Sequence, residues 1–232
     1  MSRQHRSIKD INLNQKDASS ATRTLTRDDW VKAARTVLIE KGISGVRLRS
    51  LSESLNATTG AFYWQYRKLE DLLEDVRQDW ARTNSDPFTE AIEAAGPDGM
   101  RQYLAYVRVL VLDGTVDPRY DNAIRDWAHS SPRTAEVLKT IEIKRIDQLT
   151  SVFKAMGFQD KAAIIRARVT YFHQTGYNAM QIKETQEERL RNLPYYAEVL
   201  TDSTVMHRLP TPDDVRNFLL TGGFPDSGVE KS

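Results

Sequence analysis

The sequence predicts an all-α protein in which a small N-terminal three-helix domain precedes a larger helical domain. Three observations predict it. Apolar residues recur at offsets of three, four and seven along most of the chain, the spacing of one face of an α-helix. No run of alternating β-branched residues stands between Asn-Gly or Asp-Gly turns, the pattern expected of hairpins. Charge also divides the chain: up to Leu69 there are 13 basic and 6 acidic residues, a net of +7, and beyond it 20 basic and 26 acidic, a net of −6.

Residues 1–22 are rich in Ser, Asn, Gln and Lys, with few apolar side chains to offset the entropy of ordering, and are expected to form a flexible polar arm. The first helix starts after Thr26, an N-cap followed by Asp28 and Asp29 near the positive end of the helix dipole. Trp30, Ala33, Ala34, Val37 and Leu38 form its apolar face, and Gly42 ends it. Leu48, Leu51 and Leu55 mark a helix of about two turns. Asn56, which tolerates a left-handed backbone, supplies the turn, and Thr58 caps a second short helix running through Tyr66. Two short helices so joined make a helix-turn-helix. Leu69, Leu72, Leu73, Val76 and Trp80 then predict a longer fourth helix.

Further stripes run through Met100–Val111, Tyr120–Trp127, Leu138–Met156 and Ile165–Met180, the last within a helix expected over 160–184. Helices are expected to end or begin at Asp86-Pro87, Gly96-Pro97, Asp117-Pro118 and Ser131-Pro132. Thr211-Pro212-Asp213-Asp214 opens a last helix with proline at its first position, and Gly222-Gly223 closes it. The expected division is therefore arm 1–22, helix-turn-helix domain 23–69, helical domain 70–224 and tail 225–232.

Overall composition excludes several classes. A formal charge of +1 argues against a wholly polybasic or polyacidic chain. No apolar run reaches the roughly 18–20 residues of a membrane span, and the N-terminus has no secretory apolar stretch, so a cytoplasmic location is expected. With no cysteine, disulfides, thiol nucleophiles and thiolate metal sites are ruled out. A basic N-terminal third on a neutral protein suits a local polyanion contact, although a solvated basic face accounts for the charge equally well.

The span Thr26–Trp80 resembles the DNA-binding domain of the tetracycline-repressor (TetR) family. The resemblance is carried by LSESLNATTGAFYWQY at 51–66 and the acidic-Leu-Leu helix start Glu70-Asp71-Leu72-Leu73. The pattern of small residue, Gly, hydrophobic residue, Tyr, aromatic, polar, aromatic is more specific than a generic helix-turn-helix. It implies DNA contacts from Arg47, Arg49, Ser50, Thr58, Thr59, Gly60, Ala61, Tyr63, Trp64 and Lys68. The physical logic agrees, because a recognition helix puts its N-terminal residues at base edges while neighbouring groups hold phosphates. Gly60 permits close backbone approach, and Tyr63 is expected to donate to a phosphate. Tyr66 reads as core. The chain departs from the family pattern at Ser52, where Ala is usual, at Asn56, where Gly is usual, and at Leu69, where a phosphate-binding Lys is common.

The resemblance also implies a C-terminal domain that binds a small, partly apolar effector and forms a homodimer on a palindromic double-stranded operator. Tyr103, Tyr106, Val107, Leu110, Trp127, Phe153 and Phe172 are candidates to line the effector site, with His129, Arg145 and His173 as polar anchors. Core packing accounts for such aromatics equally well. Ile165, Val169, Gly176 and Met180 are candidates for the dimer interface. No cofactor and no metal are expected.

An all-helical enzyme is the competing class. The chain has no GxGxxG, Walker loop, GxSxG or HExxH, and His5, His129, His173 and His207 are not at helical ligand spacing. A further alternative is an architectural or division-linked DNA-binding protein of the same fold with no effector.

Overall fold

The computed structural model describes residues 24–224; the expected arm 1–22 and tail 225–232 lie outside the described residues. Among these, regular structure is helical: α1 (Arg27–Lys41), α2 (Leu48–Ser54), α3 (Thr59–Tyr63), α4 (Leu69–Ala94), α5 (Gly99–Val111), α6 (Pro118–Ser130), α7 (Pro132–Ala155), α8 (Asp160–Ala179), α9 (Gln186–Thr201) and α10 (Pro212–Thr221). Short 3-10 turns at Ile43–Gly45 and Val205–Arg208 complete it. No described helix is long and apolar enough to cross a membrane.

Local chemistry sets most helix starts. Thr26 and Asp29 form a reciprocal capping box, as do Thr185 with Glu188 and Thr211 with Asp214. Asp98, Asp117 and Ser131 cap α5, α6 and α7 through their side chains. The proline starts of α6, α7 and α10 place a residue without an N–H where the helix needs none.

Three expectations are corrected. The helix expected through Tyr66 stops at Tyr63, after which Tyr66 turns inward and stacks on Phe62. The helix break expected at Asp86-Pro87 does not occur, because Pro87 sits inside α4. An interior proline costs roughly 3 kcal/mol. Trp80 and Phe88, each 1% exposed, lie on either side of it, and burying each side chain contributes about 1.5–3 kcal/mol. Packing on both sides thus offsets the proline and keeps the helix continuous. The helix expected over 160–184 stops at Ala179: Gln181 takes a left-handed φ of 51°, and Asn122 Nδ2 on α6 donates to the Asn178 carbonyl at 3.0 Å, which satisfies a terminal acceptor.

The buried apolar residues form two cores. One joins Trp30, Leu38, Leu51, Phe62, Leu72 and Trp80, from α1 to the first half of α4, to Tyr120, Ile124 and Trp127 of α6. The other joins the second half of α4, from Phe88, to α5, α7, α8, α9 and α10. α4 runs through both. The joint is polar as well as apolar. Arg77 of α4 is buried, with Nε donating to Thr134 Oγ1 at 3.0 Å and Nη1 lying 2.9 Å from Glu70 and 3.1 Å from Glu74, while its guanidinium lies 4.5 Å from the Trp127 ring centre. The Tyr120 hydroxyl donates to the Val76 carbonyl at 2.8 Å, and Arg35 of α1 stacks on the Tyr120 ring.

Candidate nucleic-acid interface

The turn between α2 and α3 is built by Asn56, whose φ of 49° places it in the left-handed region, with the Ala57 N–H donating to the Ser52 carbonyl at 2.8 Å. Thr58 then adopts an extended backbone, and its Oγ1 accepts from the Ala61 N–H at 3.2 Å, satisfying a free donor at the start of α3.

α3 is fixed from below by aromatic packing. Phe62 is 1% exposed, meets Trp30 edge to face with ring centres 5.3 Å apart, and stacks on Tyr66 at the same separation. The Tyr66 hydroxyl donates to Asp75 Oδ2 at 2.9 Å, and Arg27 pairs with the same carboxylate while covering the Tyr66 ring. Burial first and the Asp75 hydrogen bond second push the Tyr66 phenol well above its ordinary value. Tyr66 is therefore part of the core, as its position in the sequence suggests.

With Phe62 and Tyr66 turned inward, their neighbours turn outward. Tyr63 is 60% exposed and Trp64 87% exposed. Arg47, Arg49, Thr58, Thr59, Gly60 and Lys68 are exposed, whereas Ser50 and Ala61 are half-buried. A Cβ added at Gly60 meets only Thr58 Oγ1, at 3.6 Å, so nothing in the chain's own packing demands glycine there.

The cations differ in availability. Arg49 pairs with Glu53 at 2.8 Å on open surface, an interaction worth about 0–1 kcal/mol and readily exchanged for a phosphate. Arg47 donates to the Ser44 carbonyl at 2.9 Å and has no carboxylate partner among the described residues. Lys68, at the N-cap of α4, is exposed, and so is Arg67 beside it. Arg67 is not among the contacts that the family resemblance implies; its signal in the sequence is the Arg67-Lys68 pair directly after the aromatic cluster. Arg27, Gln65, Tyr66, Arg67, Lys68 and Asp71 line an open recess next to α3.

The candidate effector residues do not all converge. Tyr103, Tyr106, Val107, Leu110 and His173 line one small cavity of about 60 Å³ between α5, α8 and α9. Burial first, and Arg189 second, lower the His173 pKa. Arg145 lines an adjoining cavity of about 40 Å³, which shares Tyr106, Leu110 and Gln174 with the first. Phe153 packs beside Tyr103 in the core, 5.9 Å between ring centres. Trp127 belongs to the N-terminal core, His129 is exposed, and Phe172 is 58% exposed on the outer side of α8. These last three stand apart from both cavities. Sequence spacing cannot reveal this, since it identifies an apolar face but not which neighbour covers it.

Of the dimer candidates, Ile165, Val169 and Met180 are exposed, and a Cβ at Gly176 meets nothing within 4 Å. The opposite side of α8 buries Ala163, Ala167 and Thr170.

A helix-turn-helix held by an aromatic core, with α3 exposed and flanked by cations, on a larger helical body, is an arrangement that suits docking in a groove of duplex DNA. Residues 31–76 match the model of the bacterial regulatory proteins, tetR family. Among solved structures it is similar to BioQ with its natural double-stranded DNA operator, at 22% identity and a TM-score of 0.38, covering 77% of this chain and 96% of that one. It is also similar to Mycobacterium smegmatis BioQ, at 22% identity and a TM-score of 0.40, covering 79% of this chain and 99% of that one. No curated protein matches the chain.

Proposed function

We propose that this chain is a ligand-responsive transcriptional regulator, a repressor that binds a palindromic operator as a homodimer in the cytoplasm and changes its DNA affinity on binding a small molecule. The exposed α3 carries the reading: the aromatics that hold it face inward, and its outer surface is small, hydroxylated or aromatic, with cations on the flanking segments. In this reading Thr58, Thr59, Gly60 and Ala61 meet base edges and the groove wall. Tyr63, Trp64, Lys68, Arg47, Arg49 and Ser50 hold the backbone. Arg67 joins them.

Residues 23–69 act as the reading head and 70–224 as the effector and dimerisation domain. Two-fold pairing is required mechanically, because one short recognition helix spans too few base pairs and a dimer reads a palindrome. The outward stripe Ile165, Val169, Phe172, Gly176 and Met180 supports pairing through α8, with the exposed Tyr195 and Val199 of α9 beside it.

The link from cavity to reading head runs through α6. Asp121 Oδ1 accepts from Asn84 Nδ2 at 2.8 Å, and Arg125 ties Asp121 to Glu142 and the Tyr171 hydroxyl beside the cavity. Next to Asp121, Tyr120 packs α6 on α1 and α4. A ligand that favours one placement of α6 therefore biases the spacing of two reading heads, provided it binds the two states unequally.

The size of the cavities favours a second reading, a DNA-binding protein of this fold without an effector. At about 60 and 40 Å³ both are far smaller than the roughly 300–1,000 Å³ of typical ligand sites. Ligand-dependent release from DNA separates the two. The DNA model itself is tested by fluorescence anisotropy on selected and scrambled duplexes. Tyr63→Ala and Lys68→Ala should weaken both with a shallower salt dependence, while Thr59→Ala should change sequence preference. Unchanged binding in all three overturns it.

A further inference from the structure

Arg145 is a buried cation without an ionic partner among the described residues. Its residue is 5% exposed, and its guanidinium lies over the Phe88 ring at 3.7 Å from the centre and donates through Nη2 to the Asn84 carbonyl. Its Nε has no hydrogen-bond partner, and no carboxylate among the described residues pairs with it. Both acids nearby are already engaged: Asp121 by Asn84 and Arg125, and Glu142 by Arg125. A buried guanidinium without a counter-ion is costly to the fold, a cost that an anion from outside would offset.

A second orphan faces the same cavity. The Tyr106 side chain is fully buried, and its hydroxyl makes no hydrogen bond of ordinary geometry, the Arg145 guanidinium being the side chain close enough to act on it. Burial raises its pKa and the nearby Arg145 opposes that effect, so the hydroxyl stays protonated and can donate. Tyr106 also forms part of the wall shared with the larger cavity, whose remaining lining includes Tyr103, Val107, Leu193 and Leu200.

We infer that the effector is a small amphipathic carboxylate, its carboxylate held between the Arg145 guanidinium and the Tyr106 hydroxyl and its apolar body lying in the adjoining cavity. The inference rests on the effector-responsive reading above. A planar guanidinium matches a carboxylate through parallel hydrogen bonds. The apolar walls beyond Tyr106 favour a hydrocarbon or aromatic body over a polar one. The cavities as they stand are small, so binding opens the shared wall between Tyr106 and Leu110 of α5 and Gln174 of α8 and merges them.

The test compares hexanoate and phenylacetate with hexanol and 2-phenylethanol, neutral probes of matching shape, on the full chain. Melting temperature and the affinity for a selected operator duplex are both read. The acids should raise the melting temperature by about 3–6 °C at ten times their Kd, and the alcohols should not. Arg145→Met should abolish the shift. Tyr106→Phe removes a hydroxyl that makes no hydrogen bond of ordinary geometry in the fold, so it keeps the chain folded, and it should weaken acid binding at least tenfold. Equal responses to acids and alcohols, no response to either acid, or an undiminished response in both variants overturns the inference. A response to alcohols that also alters operator affinity would refute the carboxylate while leaving the regulator reading standing. Acid binding that depends on Arg145 but leaves operator affinity unchanged would support the site and refute the regulatory reading.

Discussion

Substituting Gly60 with alanine should separate the stability of the reading head from its grip on DNA. Within the chain, the new methyl meets only Thr58 Oγ1 at 3.6 Å, an ordinary contact, and Gly60 is the second residue of α3. Alanine is favoured over glycine in a helix by about 0.5–1 kcal/mol. For a chain of this length that raises the melting temperature by up to about 4 °C. At the duplex the sign reverses, because one added carbon in a closely packed contact costs about 1–3 kcal/mol, equivalent to about 5- to 160-fold in affinity. Thermal denaturation and anisotropy with a selected duplex read the two effects on the same sample. A variant that melts higher and binds DNA more weakly fits the account. Unchanged DNA affinity in a folded Gly60→Ala chain would refute the reasoning that this glycine exists for an outside partner.

Three further outcomes follow from the same structure. Ser52 is buried in α2 with no partner for its Oγ, so Ser52→Ala should stabilise the chain by about 1 kcal/mol in chemical denaturation, and a loss of stability would contradict the packing described. Glu74 is held down at about 2 by hydrogen bonds from Arg133, then Gln78, with Arg77 adding to them. A depressed carboxylate stabilises the fold above its unfolded pKa and loses that contribution as pH falls towards the folded value. The melting temperatures of wild type and Glu74→Gln should therefore differ at neutral pH and converge between about pH 5 and 2; a constant gap would contradict the pairing. Val169→Glu, in the outward stripe of α8, should leave helical content intact and give a monomer by light scattering, whereas a persisting dimer would place the interface elsewhere.

Much of the reading head is legible in the sequence because its signals are local. Thr26, Thr58 and Thr211 cap helices through contacts within three residues, and Asn56 takes the left-handed turn its side chain tolerates. Inward and outward residues of the aromatic run separate correctly for Phe62, Tyr63, Trp64 and Tyr66. The failures are non-local. Pro87 looks like a break until Trp80 and Phe88 are seen to pack on either side of it. Trp127 and Phe172 have the composition of a pocket wall, yet one packs under Arg77 in the N-terminal core and the other faces outward on α8. Arg145 stands out only in three dimensions, since what distinguishes it is the lack of a carboxylate partner from any other helix.

The central claim, that α3 reads DNA sequence as half of a two-fold pair, is tested most directly by pull-down of randomised duplex DNA with the purified full chain at two salt concentrations, followed by sequencing. The account predicts enrichment of one palindrome whose half-sites are about one helical turn apart, with recovery falling as salt rises. Salt-sensitive binding with no enriched motif would contradict sequence reading and favour an architectural role. An enriched site without two-fold symmetry would contradict the dimer.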